Sequence, residues 1–275
     1  MTDNTDLFDR ALASAIALAN DQDTHNTSNK LESNPSWERK KDILSVSNSS
    51  LEQIPWYRYK YQDSAPGSST KYLLSVLGPR YDPDLHSGSA SQDSDPNDLP
   101  VRCDLVISSD KSDGSIRSMM GFWFPKKDYK ASEYTDKYVD EYWKGLQRDR
   151  KQWCMFDMIH ATIPLTWDHN LPSDSEAIHL VLMATNPTEQ EKGYGRRLLD
   201  ILKSVSDGTH TPVKLTASTD DSARFYHTSN FVEHKRTTLR AGDQGDSELV
   251  SMTYTPGSLA TYTNRNVQSH AILTQ

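Results

Sequence analysis

Residues 190–195 read Gln-Glu-Lys-Gly-Tyr-Gly, a set of types that suits the binding of an anion. Gly193 and Gly195 remove side chains where backbone amides could converge, and Lys192 and Arg196 add positive charge beside them. Convergence needs a helix start, because only there do several N–H groups lack an internal acceptor and face the positive end of the helix dipole. The flanking sequence supplies one. Residues 177–185 form a continuous apolar run that predicts a buried strand entering the turn. Leu198, Leu199, Leu202 and Val205 then recur at helical spacing, with Arg196, Arg197, Asp200 and Lys203 elsewhere, and Asp207-Gly208 predicts the stop. By spacing alone, the glycines would serve equally well to let the chain turn tightly from strand to helix.

Two phosphate signatures are excluded: no Gly-Lys-Ser/Thr makes this a Walker loop, and no third glycine makes it a dinucleotide fingerprint. The stretch instead resembles, at every defined position, the acyl-CoA signature Gln/Arg-x-x-Gly-x-Gly/Ala of the GNAT superfamily of N-acetyltransferases. Downstream, Phe225-Tyr226 followed by Asn230-Phe231 looks like the second signature of that family, with Asn230 in place of the usual glycine and Thr219 where many members have Asn. Asn is the residue that best replaces glycine in a left-handed cap. The resemblance runs over residues 177–254.

It implies a mixed α/β fold in a single domain, with a mostly antiparallel central sheet flanked by helices, and acetyl-CoA as acyl donor. It further implies that backbone groups of Met183, Ala184 and Thr185 pair with the pantetheine arm as though it were a strand. Gln190, Glu191, Lys192, Gly193, Tyr194, Gly195 and Arg196 would take the pyrophosphate, with Ser222 and Phe225 completing the cofactor-binding set. Tyr226 occupies the position of the tyrosine that protonates the departing sulfur in many members; its other reading is a packed aromatic facing Phe231.

Amide formation requires that an amine lose a proton before attacking a thioester and that the leaving thiolate be protonated. No Gly-x-Ser-x-Gly occurs, and no motif surrounds Cys154, so direct attack without a covalent enzyme intermediate is expected. His179, on the strand entering the turn, is the candidate base, since imidazole titrates in the useful range; it reads equally as an ordinary strand histidine. Glu176, His160, Asp157, Asp168 or a chain of waters are rivals. The expected reaction is transfer of an acetyl or other short acyl group to a primary amine, most naturally of a small molecule. Two alternatives stay open: a catalytically silent acyl-CoA sensor or scaffold, and a protein lysine or N-terminal acetyltransferase.

Composition narrows the partners. The net charge of −8 over 275 residues leaves no basic stripe for nucleic acid and would favour a cationic amine. Cys103 and Cys154 suggest neither a disulfide framework nor a zinc site, so no metal is expected and the reducing cytoplasm is the default. The small-apolar run 11–19 follows an acidic start and is too short to span a bilayer, so neither a signal peptide nor membrane insertion is expected. The sequons at Asn26 and Asn48 are therefore expected to be idle, and the protein to be a monomer or homodimer.

The elements follow from pattern. Residues 5–19 predict a helix with Leu7, Ala11, Ala15 and Leu18 on its stripe, and the polar stretch 20–50 predicts a loop or an only partly ordered segment. The aromatic run Trp56 to Tyr61 predicts a core or lid strand, and a similar stretch in fungal members of the family implies a place in the wall of the acceptor pocket. Residues 80–100, rich in Asp, Ser and Pro, predict a flexible excursion. Residues 101–108 and 116–124 predict a hairpin, 136–150 a helix, 213–217 a strand, a helix from Thr219, and 231–239 with 249–254 a second hairpin; 155–165 fits helix or strand. The domain reading is an N-terminal helix and polar loop (1–50), an acetyltransferase domain (51–255, insertion 81–100) and a tail (256–275).

Overall fold

The computed structural model describes residues 4–22, 29–82, 103–125, 127, 132–166 and 171–257. Nine helices and seven strands occur among them, in the order α1 (Asn4–Gln22), β1 (Asn29–Ser33), α2 (Lys40–Leu51), α3 (Pro55–Tyr61), α4 (Ser68–Leu77), β2 (Asp104–Asp110) and β3 (Ile116–Trp123). There follow α5 (Ser132–Gly145), α6 (Arg148–Trp153), α7 (Ile159–Thr166), β4 (Ile178–Thr185), α8 (Tyr194–Thr209), β5 (Val213–Ala217), α9 (Asp220–His227), β6 (Val232–Arg240) and β7 (Asp246–Tyr254). The strands form one mixed sheet in the order β1-β2-β3-β4-β5-β7-β6. Only β4 and β5 pair in parallel, and only over Ile178↔Val213 and His179↔Lys214; every other pair is antiparallel. This is the mixed, mostly antiparallel sheet flanked by helices that the resemblance implied.

Helices cover both faces. Phe8, Leu12 and Ile16 of α1 pack with Leu198, Leu199 and Leu202 of α8 over one face. Ile43 and Leu44 of α2 and Leu73 and Leu77 of α4 pack on Leu105, Ile107 and Met119 over the other. A third cluster sets Trp56, Tyr57 and Trp153 against Leu239 and Leu249 of the β6–β7 hairpin.

Several expectations need correcting. The buried stripe of α1 is Phe8, Leu12 and Ile16, whereas Leu7 and Leu18 are exposed. Residues 29–51 are not a loop: β1 is the edge strand of the sheet, and α2 buries Ile43, Leu44 and Val46. The outer edge of β1 is closed by Asn20, whose amide donates to the Leu31 carbonyl and whose oxygen accepts from the Leu31 N–H (3.1 and 2.9 Å), so backbone and side-chain polarity, not apolar content, place this strand. The aromatic run is the helix α3, because Pro55 at its first turn fixes a helical φ and removes an N–H that would be unpaired there. Its rings turn inward with Tyr72 and Tyr142, around the ammonium of buried Lys60, 4.1 and 4.7 Å from those two ring centroids.

Asp207-Gly208 does not end α8, which runs on to Thr209 and is capped by left-handed His210 (φ 53°). The stretch 155–165 is helical, entered through a π turn at Cys154–Met158. Asn48 lies in the last turns of α2; the sequon at Asn26, Asp168, residues 83–100 of the expected excursion and 258–275 of the tail lie outside the described residues. No described helix is long and apolar enough to cross a membrane.

Candidate functional site

The site begins where two strands separate. β4 and β5 are joined at Ile178 and His179 and then part, because β5 is drawn into full pairing with β7 through Ala217 while β4 stays on β3 through Thr185. A bulge in β4 at the Gly121/Phe122 register shift turns the strand between its two halves. Before it, Ile178 and Leu180 face the α8 side; after it, Leu182 and Ala184 face the α2 side. The Asn186 N–H donates to the Arg117 carbonyl (2.9 Å), so by antiparallel alternation the backbone groups of Ala184 also turn to β3, and those of Met183 and Thr185 turn into the gap.

A cleft of about 660 Å³ fills that gap. At its mouth, β4 passes through a short 3-10 turn, Pro187–Glu189, capped by Asn186, into α8. Glu191 (φ 63°) and Gly193 (φ 86°) are both left-handed, which folds the amides of the turn inward, and Gly193 is the N-cap of α8. No side chain caps this end, so the first N–H groups of α8 face the cleft without an acceptor from the helix. A Cβ on Gly195 would stand 3.4 Å from Thr185 Oγ1 and 3.7 Å from Phe225 Cζ, filling the crevice between loop and helix.

Charges around the mouth are fixed in place. Arg196 donates to the carbonyl and hydroxyl of Thr228 (2.9 and 2.6 Å), bridging α8 to the end of α9. Lys192 and Arg117 both bind Glu189 (3.1 Å each), and Arg117 also binds Asp110 (2.9 Å), tying the β2–β3 hairpin to the turn. Gln190 donates to Gln53 (3.0 Å), which brings the chain between α2 and α3 into the wall.

On the opposite lip, Thr219 caps α9 and forms a reciprocal capping box with Ser222, so the Thr that replaces a common Asn performs the cap. Ser222, Phe225 and Tyr226 line the cleft. Tyr226 is wedged between Phe225 and Phe231 (ring centroids 5.2 and 5.6 Å), and burial raises its phenol well above the usual range, so it keeps its proton at neutral pH. Asn230 is left-handed (φ 68°), the conformation for which Asn is the best substitute for glycine.

Met183, Thr185, Gln190, Glu191, Gly193, Tyr194, Gly195, Arg196, Ser222, Phe225 and Tyr226 are thus brought together. Lys192 stands beside them, held on Glu189, and Ala184 packs beneath β4 on the α2 side. His179 lies apart, at the paired end of β4, edge-on to Trp123 (5.2 Å) and outside the described lining of the cleft. Burial first and Lys214 second lower it to about 4, against a weaker opposing pull from Asp174. Its Nδ1 finds no acceptor or donor among the described residues. Glu176 bonds the Ser173 amide and hydroxyl, and neither it nor His160 nor Asp157 is part of that lining. The aromatic run of α3 does not line it either. What sequence reasoning missed is the wall from the end of α2, Ser50, Leu51, Gln53 and Ile54, which falls at the seam between the polar stretch 20–50 and the aromatic run and carries no signal of its own.

Among the described residues no group of three or more His, Cys, Asp or Glu could hold a metal ion. No family model matches the chain, and no curated protein matches it at a significant level. Solved structures do. A histone acetyltransferase and related acetyltransferase from Corynebacterium glutamicum is 14% identical, with 84% of this chain and 98% of that chain covered and a TM-score of 0.49. An N-acetyltransferase from Staphylococcus aureus is 10% identical (83% and 99% covered, TM-score 0.43). The protein yncA of Salmonella typhimurium, solved with acetyl-CoA, is 11% identical (83% and 94% covered, TM-score 0.39).

Proposed function

We propose that the chain is an acetyl-CoA-dependent N-acetyltransferase that acylates the primary amine of a small molecule by direct attack. The observation that carries this reading is the parting of β4 from β5 directly before a helix N-terminus that no side chain caps. One feature offers an unpaired strand edge, the other an anion cradle, and a phosphopantetheine thioester is a ligand that is extended and amide-bearing at one end and a diphosphate at the other. The amide groups of Met183 and Thr185 receive the extended arm. The N–H groups of Gly193 to Arg196, with the Arg196 guanidinium held beside them, receive the phosphates.

Bound there, acetyl-CoA supplies an activated acyl carbon. The chain's own residues position it and manage protons. Tyr226, which lines the cleft and keeps its proton through the neutral range, would donate to the sulfur as the carbon–sulfur bond breaks. The carboxylates of the cleft, Glu189, Glu191 and Asp221, sit on the phosphate turn and on α9, so water in the cleft takes the proton from the amine, and His179 acts in packing.

Release of CoA thiol, followed with a thiol reagent over a panel of small amines, amino acids and lysine peptides, tests the assignment. Amine-dependent release is expected with at least one small amine. Binding of acetyl-CoA with no release in any arm would favour a silent acyl-CoA-binding module, and release with peptides alone would favour protein acetylation.

A further inference from the structure

The charges of the cleft are segregated. Glu189, Glu191, Arg196 and Asp221 are its charged lining among the described residues, and all four belong to the phosphate turn, α8 or α9. The wall where the end of α2 meets the gap holds no charge among the described residues: it presents Leu51 and Ile54, with the neutral Ser50 and Gln53, beside Val181 and Leu182. Leu51 and Val181 pack against the cluster beneath α2 and α4, so this wall continues the core rather than lying loose on it.

The cofactor occupies the α8 side if the reading above holds, and an amine must then approach the thioester from the α2 side. A substrate seated there meets four aliphatic side chains and no charged group among the described residues, since Ser50 and Gln53 of the same wall are neutral. A second ammonium group against this wall would lose its hydration without gaining a carboxylate, whereas each buried methylene would gain about fourfold in affinity.

We propose that the acceptor is a primary amine on an apolar body, aryl or alkyl, seated against Leu51, Ile54, Val181 and Leu182. The amine itself is cationic in water, which agrees with an acidic protein; its body is not. This inference rests on the acetyltransferase reading and refines its substrate class.

The experiment compares kcat/KM for 2-phenylethylamine and hexylamine with that for putrescine and spermidine, using acetyl-CoA, in wild type and in Ile54→Asp, with acetyl-CoA affinity measured separately by calorimetry. The aryl and alkyl amines are expected to exceed the polyamines by at least tenfold in wild type. Ile54→Asp should narrow or reverse that ratio while leaving the acetyl-CoA Kd unchanged. Preference for polyamines, or turnover of neither set by a protein that binds acetyl-CoA, overturns the inference and leaves cofactor binding standing. Absence of acetyl-CoA binding overturns the reading beneath it. Should Ile54→Asp fail to fold, the wild-type ratio decides by itself. A parallel arm with acetyl-, butyryl- and octanoyl-CoA asks whether the wall holds the acyl tail instead. A tenfold preference for the longer donors, with no dependence on the body of the amine, would contradict the proposal.

Discussion

The two ends of β4 share one strand and have opposite fates. At His179 the backbone lies between β3 and β5 and is paired with both, Ile178 beside it is paired with β5, the imidazole is buried, and its pKa falls to about 4. Beyond the bulge, Met183 and Thr185 keep β3 and lose β5, and the cleft opens against their free edge. The difference shows where a site arises in a well-made sheet: at the place where pairing is withheld, next to a helix end whose N–H groups are also withheld from partners. An unpaired backbone polar group is costly when dry, so such a place stays wet or takes a ligand that supplies the missing bonds.

The largest expected effect comes from filling the open end. Gly195→Val adds methyl groups beyond a Cβ that already touches Thr185 and Phe225, which blocks the approach of phosphate to the amides. Losing two charge-assisted hydrogen bonds at about 1.5–3 kcal/mol each should weaken acetyl-CoA binding on the order of a hundredfold or more. Calorimetry with unchanged affinity would move the anion site elsewhere. Next is Tyr226→Phe, expected to lower kcat by about a hundredfold with little change in acetyl-CoA affinity, the signature of an interaction made in the transition state. Equal turnover would reduce Tyr226 to its packing between Phe225 and Phe231.

The paired end should respond in stability rather than catalysis. His179 has a folded pKa of about 4 against an ordinary 6.5, so between those values the unfolded chain binds a proton that the folded chain refuses. Stability is then complete above pH 6.5 and falls as the pH drops toward 4, by about 2 kcal/mol at pH 5. Denaturant melts of His179→Leu at pH 7 and pH 5 should lack that decrement. A variant that loses stability in parallel with wild type would show that another group titrates. The smallest effect is at the lip of the cleft: Thr219→Ala removes the cap of α9 and should cost about 1 kcal/mol in thermal or chemical melts. A neutral result would mean that packing of Ala223 and Tyr226 alone holds that helix.

The sequence made residues 177–254 readable because each element there carries its own local signal. The apolar run of β4, the spaced leucines of α8 and the turn residues of the last hairpin all sit within a few positions of one another. Residues 29–61 were misread for the opposite reason. β1 has Leu31 as its single large apolar residue and is held by backbone pairing and by Asn20; the apolar residues of α2 are diluted by serines; α3 is built of residues that favour strands and is made helical by Pro55 and by rings packing from α4 and α5. Those forces act across long sequence separations, which local pattern does not register. The same blindness hid the α2 wall of the cleft, since Leu51 and Ile54 fall at the seam between two misread segments. His179 illustrates the converse: its place on the strand was correctly foreseen, but a one-residue bulge decides which part of that strand meets the cleft.

Residue-resolved amide hydrogen exchange with and without saturating acetyl-CoA examines the contrast between the two ends most directly. The account predicts strong new protection at Met183 and Thr185 and through the Gly193 to Arg196 amides, with Ile178 and His179 unchanged because their backbone is already paired. Exchange at Met183 and Thr185 that is indifferent to acetyl-CoA would contradict it.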